Sequence, residues 1–287
     1  MLQVSRDTAG MPYAYVRLKS EKAAAGLWMI VDTGQTRALS LPSSVFPDGL
    51  EESGFRVLQP RARQWSMGIH SGQVVMIPEV HLDGHVARDV EAFVGKHTVK
   101  LQTPVGGLGV ELLRRYVAVS LDLGRGRLEL WRSPPEPVQG SISVPLVSLE
   151  HAEEDARAQE SRRLANLHPL VHLWIGDEPC VGVVDTGYTG TLAIGRSSPA
   201  VRQFRPDGTD VSMWTHPDVK FPAGTVDRLR IGQVELNDVP AVTFDDRGLV
   251  ELKAPTVLIG LKAFRGYRVI TFDWQAGEFR LVPETPP

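Results

Sequence analysis

Short apolar or alternating runs recur along this chain, separated by Gly, Pro and Asp: Tyr13–Leu18, Leu27–Val31, Gln73–Ile77, Val117–Leu121, Leu170–Ile175, Val181–Val184, Val226–Ile231 and Val269–Phe272. Runs this short, bounded by turn formers, predict β-strands. Most prolines and glycines fall between the runs, as a hairpin-rich protein requires, because Gly accepts the dihedrals of tight turns and Pro presets one of them. Helical character is confined to two short stretches, Glu111–Tyr116 and Leu261–Tyr267. Residues 150–163, EHAEEDARAQESRR, are charged nearly all round. With no apolar face to bury, they predict a solvated helix or loop connecting two halves of the molecule. The pattern as a whole predicts an all-β protein.

The chain also repeats itself. Leu27-Trp-Met-Ile-Val-Asp32-Thr33-Gly34-Gln-Thr36 recurs as Val181-Gly-Val-Val-Asp185-Thr186-Gly187-Tyr-Thr189, 153 residues later. Downstream, Leu108-Gly109-Val-Glu-Leu-Leu-Arg-Arg-Tyr116 and the strand ending in Asp122 match Ile259-Gly260-Leu-Lys-Ala-Phe-Arg-Gly-Tyr267 and the strand ending in Asp273, at an offset of 151. A matching hairpin precedes each Asp-Thr-Gly. Two blocks in the same order and at nearly the same spacing mean two copies of one unit. The copies are residues 1–132 and 167–287, joined by a linker and charged segment over 133–166 that opens with Ser133-Pro-Pro-Glu-Pro. A given tripeptide of these residues is expected by chance on the order of 0.1 times in such a chain. A doubled Asp-Thr-Gly, each closing an apolar run, is therefore a signal.

Composition narrows the function. With 31 Lys+Arg against 34 Asp+Glu the net charge is −3, and neither half carries a basic stripe, so nucleic acid is not an expected partner. The single cysteine, Cys180, excludes an intramolecular disulfide framework and reads as a small packed residue. No run approaches the ~20 apolar residues of a spanning helix, and Met1-Leu-Gln-Val-Ser-Arg-Asp lacks a signal-peptide core, so a soluble chain is expected. No metal or other cofactor is expected. His81 and His85 flank a hairpin turn instead of lying on a helix face, and Gly106-Gly-Leu-Gly has no βαβ unit around it. No Gly-x-Ser-x-Gly elbow supports a serine hydrolase.

These residues carry a family resemblance. The chain resembles the bilobed, pepsin-like aspartic proteases, with each lobe similar to the retropepsin-like bacterial aspartyl proteases. The resemblance covers residues 11–132 and 167–282: each lobe has an apolar-apolar-Asp-Thr-Gly loop and, about 75 residues on, an apolar-Gly followed by a Leu/Phe-x-x-Tyr helix leading to an apolar strand ending in Asp. It implies two homologous β-barrel-like lobes with a cleft between them, and a monomer acting as an internal pseudo-dimer on a peptide or protein substrate.

It further implies that Asp32 and Asp185 are the catalytic pair. Two carboxyl groups within hydrogen-bond reach share one proton, since both cannot ionise cheaply. One would take a proton from water and the other would protonate the scissile carbonyl. Thr33 and Thr186 would lock the loops across the lobes, and Gly34 and Gly187 would turn the backbone to present amides to the carboxylates. Gly109 and Gly260 would sit where the chain packs on each loop. Where pepsin-like enzymes place Ser or Thr to bond the outer carboxylate oxygen, this chain has Gln35 and Tyr188. The flap over the cleft falls on residues 65–73, with Trp65, Ser71 and Gly72, or on the loop from Met213 and Trp214 to Gly224. An endopeptidase is the first reading, and a catalytically silent peptide- or protein-binding module on the same fold is the second.

Overall fold

In a computed structural model of the chain, the residues described are 2–6, 12–65, 69–82, 84–95, 105–149, 165–213, 216–247 and 256–284. The first copy of the repeat contains β1 (Leu2–Arg6), β2 (Pro12–Lys19), β3 (Ala24–Asp32), β4 (Leu39–Pro42), β5 (Arg56–Trp65), β6 (Ile69–Leu82), β7 (His85–Gly95), β8 (Val105–Gly109), the helical turn α1 (Val110–Leu113), β9 (Ala118–Asp122) and β10 (Arg127–Trp131). Alternation decides which way each strand faces. In β2, Ala14, Val16 and Leu18 are fully buried while Tyr15, Arg17 and Lys19 point outward. Six strands close on themselves in the order β2, β3, β8, β4, β7, β6 and back to β2, with β8 parallel to β3 and β7 parallel to β4. Closure leaves no free edge.

The second copy repeats this plan with β11 (Ile142–Val147), β12 (Leu170–Ile175), β13 (Glu178–Asp185), β14 (Leu192–Gly195), β15 (Arg205–Met213), β16 (His216–Ile231), β17 (Val234–Phe244), β18 (Val257–Gly260), a 3-10 turn over Leu261–Phe264, β19 (Tyr267–Asp273) and β20 (Glu278–Pro283). Its ring runs β12, β13, β18, β14, β17, β16 and back to β12. The protein is therefore all-β with two closed six-stranded barrels. Even irregularities match: Asp89 in β7 and Asp238 in β17 both take φ of 50°, a left-handed conformation that Asp tolerates better than most residues.

An antiparallel sheet joins the lobes, in the order β1, β10, β9, β19, β20, β11. At its centre Ser120 pairs with Thr271, their hydroxyl oxygens 2.8 Å apart. These two residues are equivalent under the repeat, so the internal two-fold axis passes between them. Asp122 accepts the Arg125 N–H and Asp273 accepts the Ala276 N–H, so each lobe closes its hairpin with the same cap.

One arm of this sheet carries a buried ion pair. Arg280 donates to Asp273 at 2.8 Å, to Glu278 at 2.7 Å and to the linker carbonyl of Pro135 at 3.1 Å, while Asp273 is 0% exposed. Arg280→Met is expected to lower the unfolding free energy by about 3–5 kcal/mol, because it strands a buried carboxylate. Urea denaturation measures this, and an unchanged midpoint would contradict it.

The two stretches read as helical are shorter than expected. The first is only Val110–Leu113, because Val117 must turn to donate to Trp131 at 2.8 Å. The second ends at Phe264, and Tyr267 is already strand. Between them lies Gly266 at φ 91°, which reverses the chain. The expected loop from Met213 to Gly224 is instead largely the β15–β16 hairpin. The charged segment 150–163 lies outside the described residues. Among the described residues no helix is long and apolar enough to cross a membrane.

Candidate active site

Each Asp-Thr-Gly begins at the last residue of a buried strand. Asp32 closes β3 opposite Gly109 of β8, and Asp185 closes β13 opposite Gly260 of β18. The following helical turn docks on the loop by its free amides. Gly109, Val110 and Glu111 donate to the carbonyls of Ala38, Gln35 and Thr36, and Gly260, Leu261 and Lys262 donate to those of Thr191, Tyr188 and Gly190. Helix starts leave such donors unpaired within the helix, and here the loops satisfy them. This is why the two motifs of each lobe occur together. A Cβ at Gly109 would run into the carbonyls of Arg37 and Gln35, and one at Gly260 into those of Gly190 and Tyr188.

The lobes meet through the two threonines. Thr33 N–H donates to Thr186 Oγ1 at 3.1 Å and Thr186 N–H to Thr33 Oγ1 at 3.0 Å. Each hydroxyl then donates across the interface, Thr33 to Val184 O at 2.6 Å and Thr186 to Val31 O at 2.5 Å. Both threonines are 0% exposed. Gly34 N–H donates to Asp32 Oδ1 at 2.9 Å and Gly187 N–H to Asp185 Oδ1 at 2.8 Å. A side chain at Gly34 would overlap the Asp185 carboxyl, and one at Gly187 would overlap that of Asp32. Each glycine thus leaves room for the other lobe's acid.

The Asp32 and Asp185 carboxyl groups are hydrogen-bonded to each other. Burial holds both above the ordinary carboxylate range, and the charge of Asp32 pushes Asp185 further up. For Asp32 the hydrogen bond from Asp185, together with those from the amides of Gly34 and Gln35, works the other way. Asp32 is also the more exposed of the two. The two carboxyl groups are thus placed to share one proton, in a pair whose titrations belong to both.

Gln35 and Tyr188 hydrogen-bond to main-chain carbonyls of their own lobes. Gln35 Nε2 donates to Arg37 O at 3.0 Å and Gly107 O at 3.2 Å. The Tyr188 hydroxyl donates to Leu192 O at 3.3 Å, and its ring packs with the cluster of Leu170, Val183, Phe221 and Phe244. Both side chains brace their own loops. In the first hairpin, Trp65 ends β5 opposite Ile69. Ser71 is exposed further along β6, and Gly72 lies where a side chain would strike Phe93 and the Val94 carbonyl. Trp214 lies outside the described residues. The Cys180 thiol is pushed up to about 12, mainly by burial, and is a poor nucleophile. A pocket of about 220 Å³ lined by Arg196, Lys220, Phe221 and Asp245 contains no residue of either Asp-Thr-Gly loop. Among the described residues no group of three or more His, Cys, Asp or Glu is placed to hold a metal ion.

Two site residues have no signal in the sequence. His168 Nδ1 lies 2.9 Å from Thr33 O, and its Nε2 lies 2.9 Å from Thr36 Oγ1. Arg114 donates to the carbonyls of Asn166 and Leu167, at 2.6 and 3.1 Å, and its guanidinium lies 5.0 Å over the Trp274 ring. Histidines are scattered through the chain without spacing, so only the fold singles out one of them. No protein-family model matches the chain, and no curated protein matches it in sequence.

Proposed function

We propose that this chain is an aspartic endopeptidase of the bilobed, pepsin-like kind, each lobe contributing one carboxyl group. The observation that carries the reading is the hydrogen-bonded Asp32–Asp185 pair, held at the ends of equivalent strands by the Thr33–Thr186 interlock. In this reading an extended peptide lies in the cleft as an added strand beneath the β5–β6 and β15–β16 hairpins. Asp32 removes a proton from water as its oxygen attacks the scissile carbonyl carbon, and Asp185 gives its proton to the carbonyl oxygen. A neutral gem-diol results. Its collapse breaks the C–N bond: Asp32 passes the proton to the departing nitrogen, and Asp185 recovers its own from a gem-diol hydroxyl. No covalent enzyme intermediate forms.

The pH dependence follows from the two roles. Activity is lost at low pH when Asp32 is protonated and at high pH when Asp185 ionises. Because burial raises both groups, the bell is expected to lie above that of an unperturbed carboxylate pair. Cleavage of a diverse peptide library from acid to mildly alkaline pH, with a transition-state-mimicking aspartic protease inhibitor as control, measures it. A flat rate from acid through neutral pH would contradict the shared proton.

The bonding of Gln35 and Tyr188 to main-chain carbonyls favours a second reading, a silent peptide-binding module, because neither supplies a hydroxyl to the outer carboxylate oxygens. That reading predicts peptide binding with no cleavage by the parent protein at any pH.

A further inference from the structure

His168 belongs to the entry of the second lobe, yet both of its ring nitrogens engage the catalytic loop of the first. A carbonyl oxygen only accepts, so Nδ1, facing Thr33 O at 2.9 Å, carries the proton. In the neutral ring Nε2 is then an acceptor, and the Thr36 hydroxyl donates to it at 2.9 Å. The ring is held from behind. Arg114 of the first lobe fixes the carbonyls of the two preceding residues, and Asn166 Oδ1 accepts the Leu149 N–H at 2.8 Å. Thr33 is the residue between Asp32 and Gly34, and its amide and hydroxyl make the cross-lobe interlock. His168 therefore completes the hydrogen bonding of the residue on which Asp32 depends for its position.

We propose that His168 is a positioning residue for the first catalytic loop: the neutral ring, bonded to Thr33 and Thr36, holds Asp32 in register, and protonation of the ring adds a second loss of activity on the acid side to the one that Asp32 itself imposes. The inference rests on the endopeptidase reading of the same site. Protonation places a hydrogen on Nε2 and abolishes the acceptor that the Thr36 hydroxyl uses, so that hydroxyl must turn away. The groups around the ring act in opposite senses. Arg114, directly after α1, repels an imidazolium, whereas the Thr33 carbonyl that accepts from Nδ1 favours one. Glu111 of α1 is turned to the Ala38 amide instead, at 3.3 Å. Desolvation is the largest effect and, with Arg114, favours the neutral ring.

The test compares the parent with His168→Leu and His168→Asn. The leucine variant removes both bonds and is expected to lose about 10–100-fold in kcat, with KM near the parent value, because misplacement by even ~1 Å is that costly. The asparagine variant keeps an N–H for the Thr33 carbonyl but does not titrate. It is expected to recover most of the lost kcat and to extend the acid limb of the kcat profile to lower pH. Loss of kcat in the asparagine variant as deep as in the leucine variant, or an acid limb superimposable on the parent's, overturns the proposal.

Two further readings do not depend on catalysis or on folding of the leucine variant. Nitrogen NMR of the parent ring is expected to show the Nδ1–H tautomer at neutral pH, and the Nε2–H tautomer overturns the proposal. The lowered histidine contributes stability above its ordinary pKa of about 6.5 that is lost as pH falls. The parent's melting temperature is thus expected to fall more steeply on acidification than that of His168→Asn, and parallel curves overturn it. If the parent cleaves no peptide, the endopeptidase reading fails while these two measurements still decide the role of the ring.

Discussion

Asp185→Asn is expected to lower kcat by about 10³–10⁴-fold while raising thermal stability at neutral pH. The loss reflects removal of the general acid, whose contribution is of that order. The gain reflects removal of a buried ionisable group. Asp185 binds its proton more tightly folded than unfolded, so its contribution to stability is present below the ordinary carboxylate pKa and lost as pH rises through its raised folded value. An asparagine has no such loss. Melting curves across pH should therefore diverge, with the parent declining toward neutral pH relative to the variant. Asp32→Asn should be equally inactive, since the reaction needs both partners. Peptide cleavage retained by either variant at the parent rate would remove the dyad mechanism, and parallel melting curves would show that Asp185 is not held above its ordinary range.

The second large effect is on folding. The double variant Thr33→Val, Thr186→Val is expected to lose about 4 kcal/mol or more, because it strips hydrogen-bond partners from the two threonine amides and from the carbonyls of Val31 and Val184. Each buried group left unpaired costs roughly 1–3 kcal/mol, and the total approaches the roughly 5–15 kcal/mol of a whole protein. Thr33→Ser with Thr186→Ser keeps the hydroxyls and should recover most of the loss. Urea denaturation of the three proteins measures this. A valine double variant as stable as the parent would show that the lobes are held together elsewhere, in the Ser120–Thr271 sheet.

How much was legible in advance depended on whether the signal was local. β2 and β3 bury one face with period-two alternation, and β12, β13 and β19 contain apolar runs. β4, β14 and β18 are four residues long and wholly buried, so they carry no period to read. β8 contains three glycines, which leave it without a strand signal in the sequence. It is a strand because Gly106, Gly107 and Gly109 let it pass against Ser40, Gln35 and the Arg37 carbonyl, contacts that exist only after folding. β7 and β17 carry charges along their exposed edges and an aspartate in the left-handed conformation, which blurs their alternation.

For the site, the doubled Asp-Thr-Gly was sufficient to mark Asp32 and Asp185, because the repeat itself is written in the chain. It did not show that Gln35 and Tyr188 would turn onto Gly107 and Leu192, since a side chain's direction depends on what packs beside it.

The sequence by itself determined the strand-rich class, the duplication and the two acids, all properties of residue order and local spacing. Only the tertiary structure decided that the two acids would be buried side by side, so that both titrate above the ordinary carboxylate range, since that depends on burial and on the other lobe's charge. It also decided that Arg114 and Asn166 would hold His168 against Thr33. Those partners are brought together by closure of two barrels on one shared sheet, and contacts between residues so far apart in the chain leave no periodic trace along it.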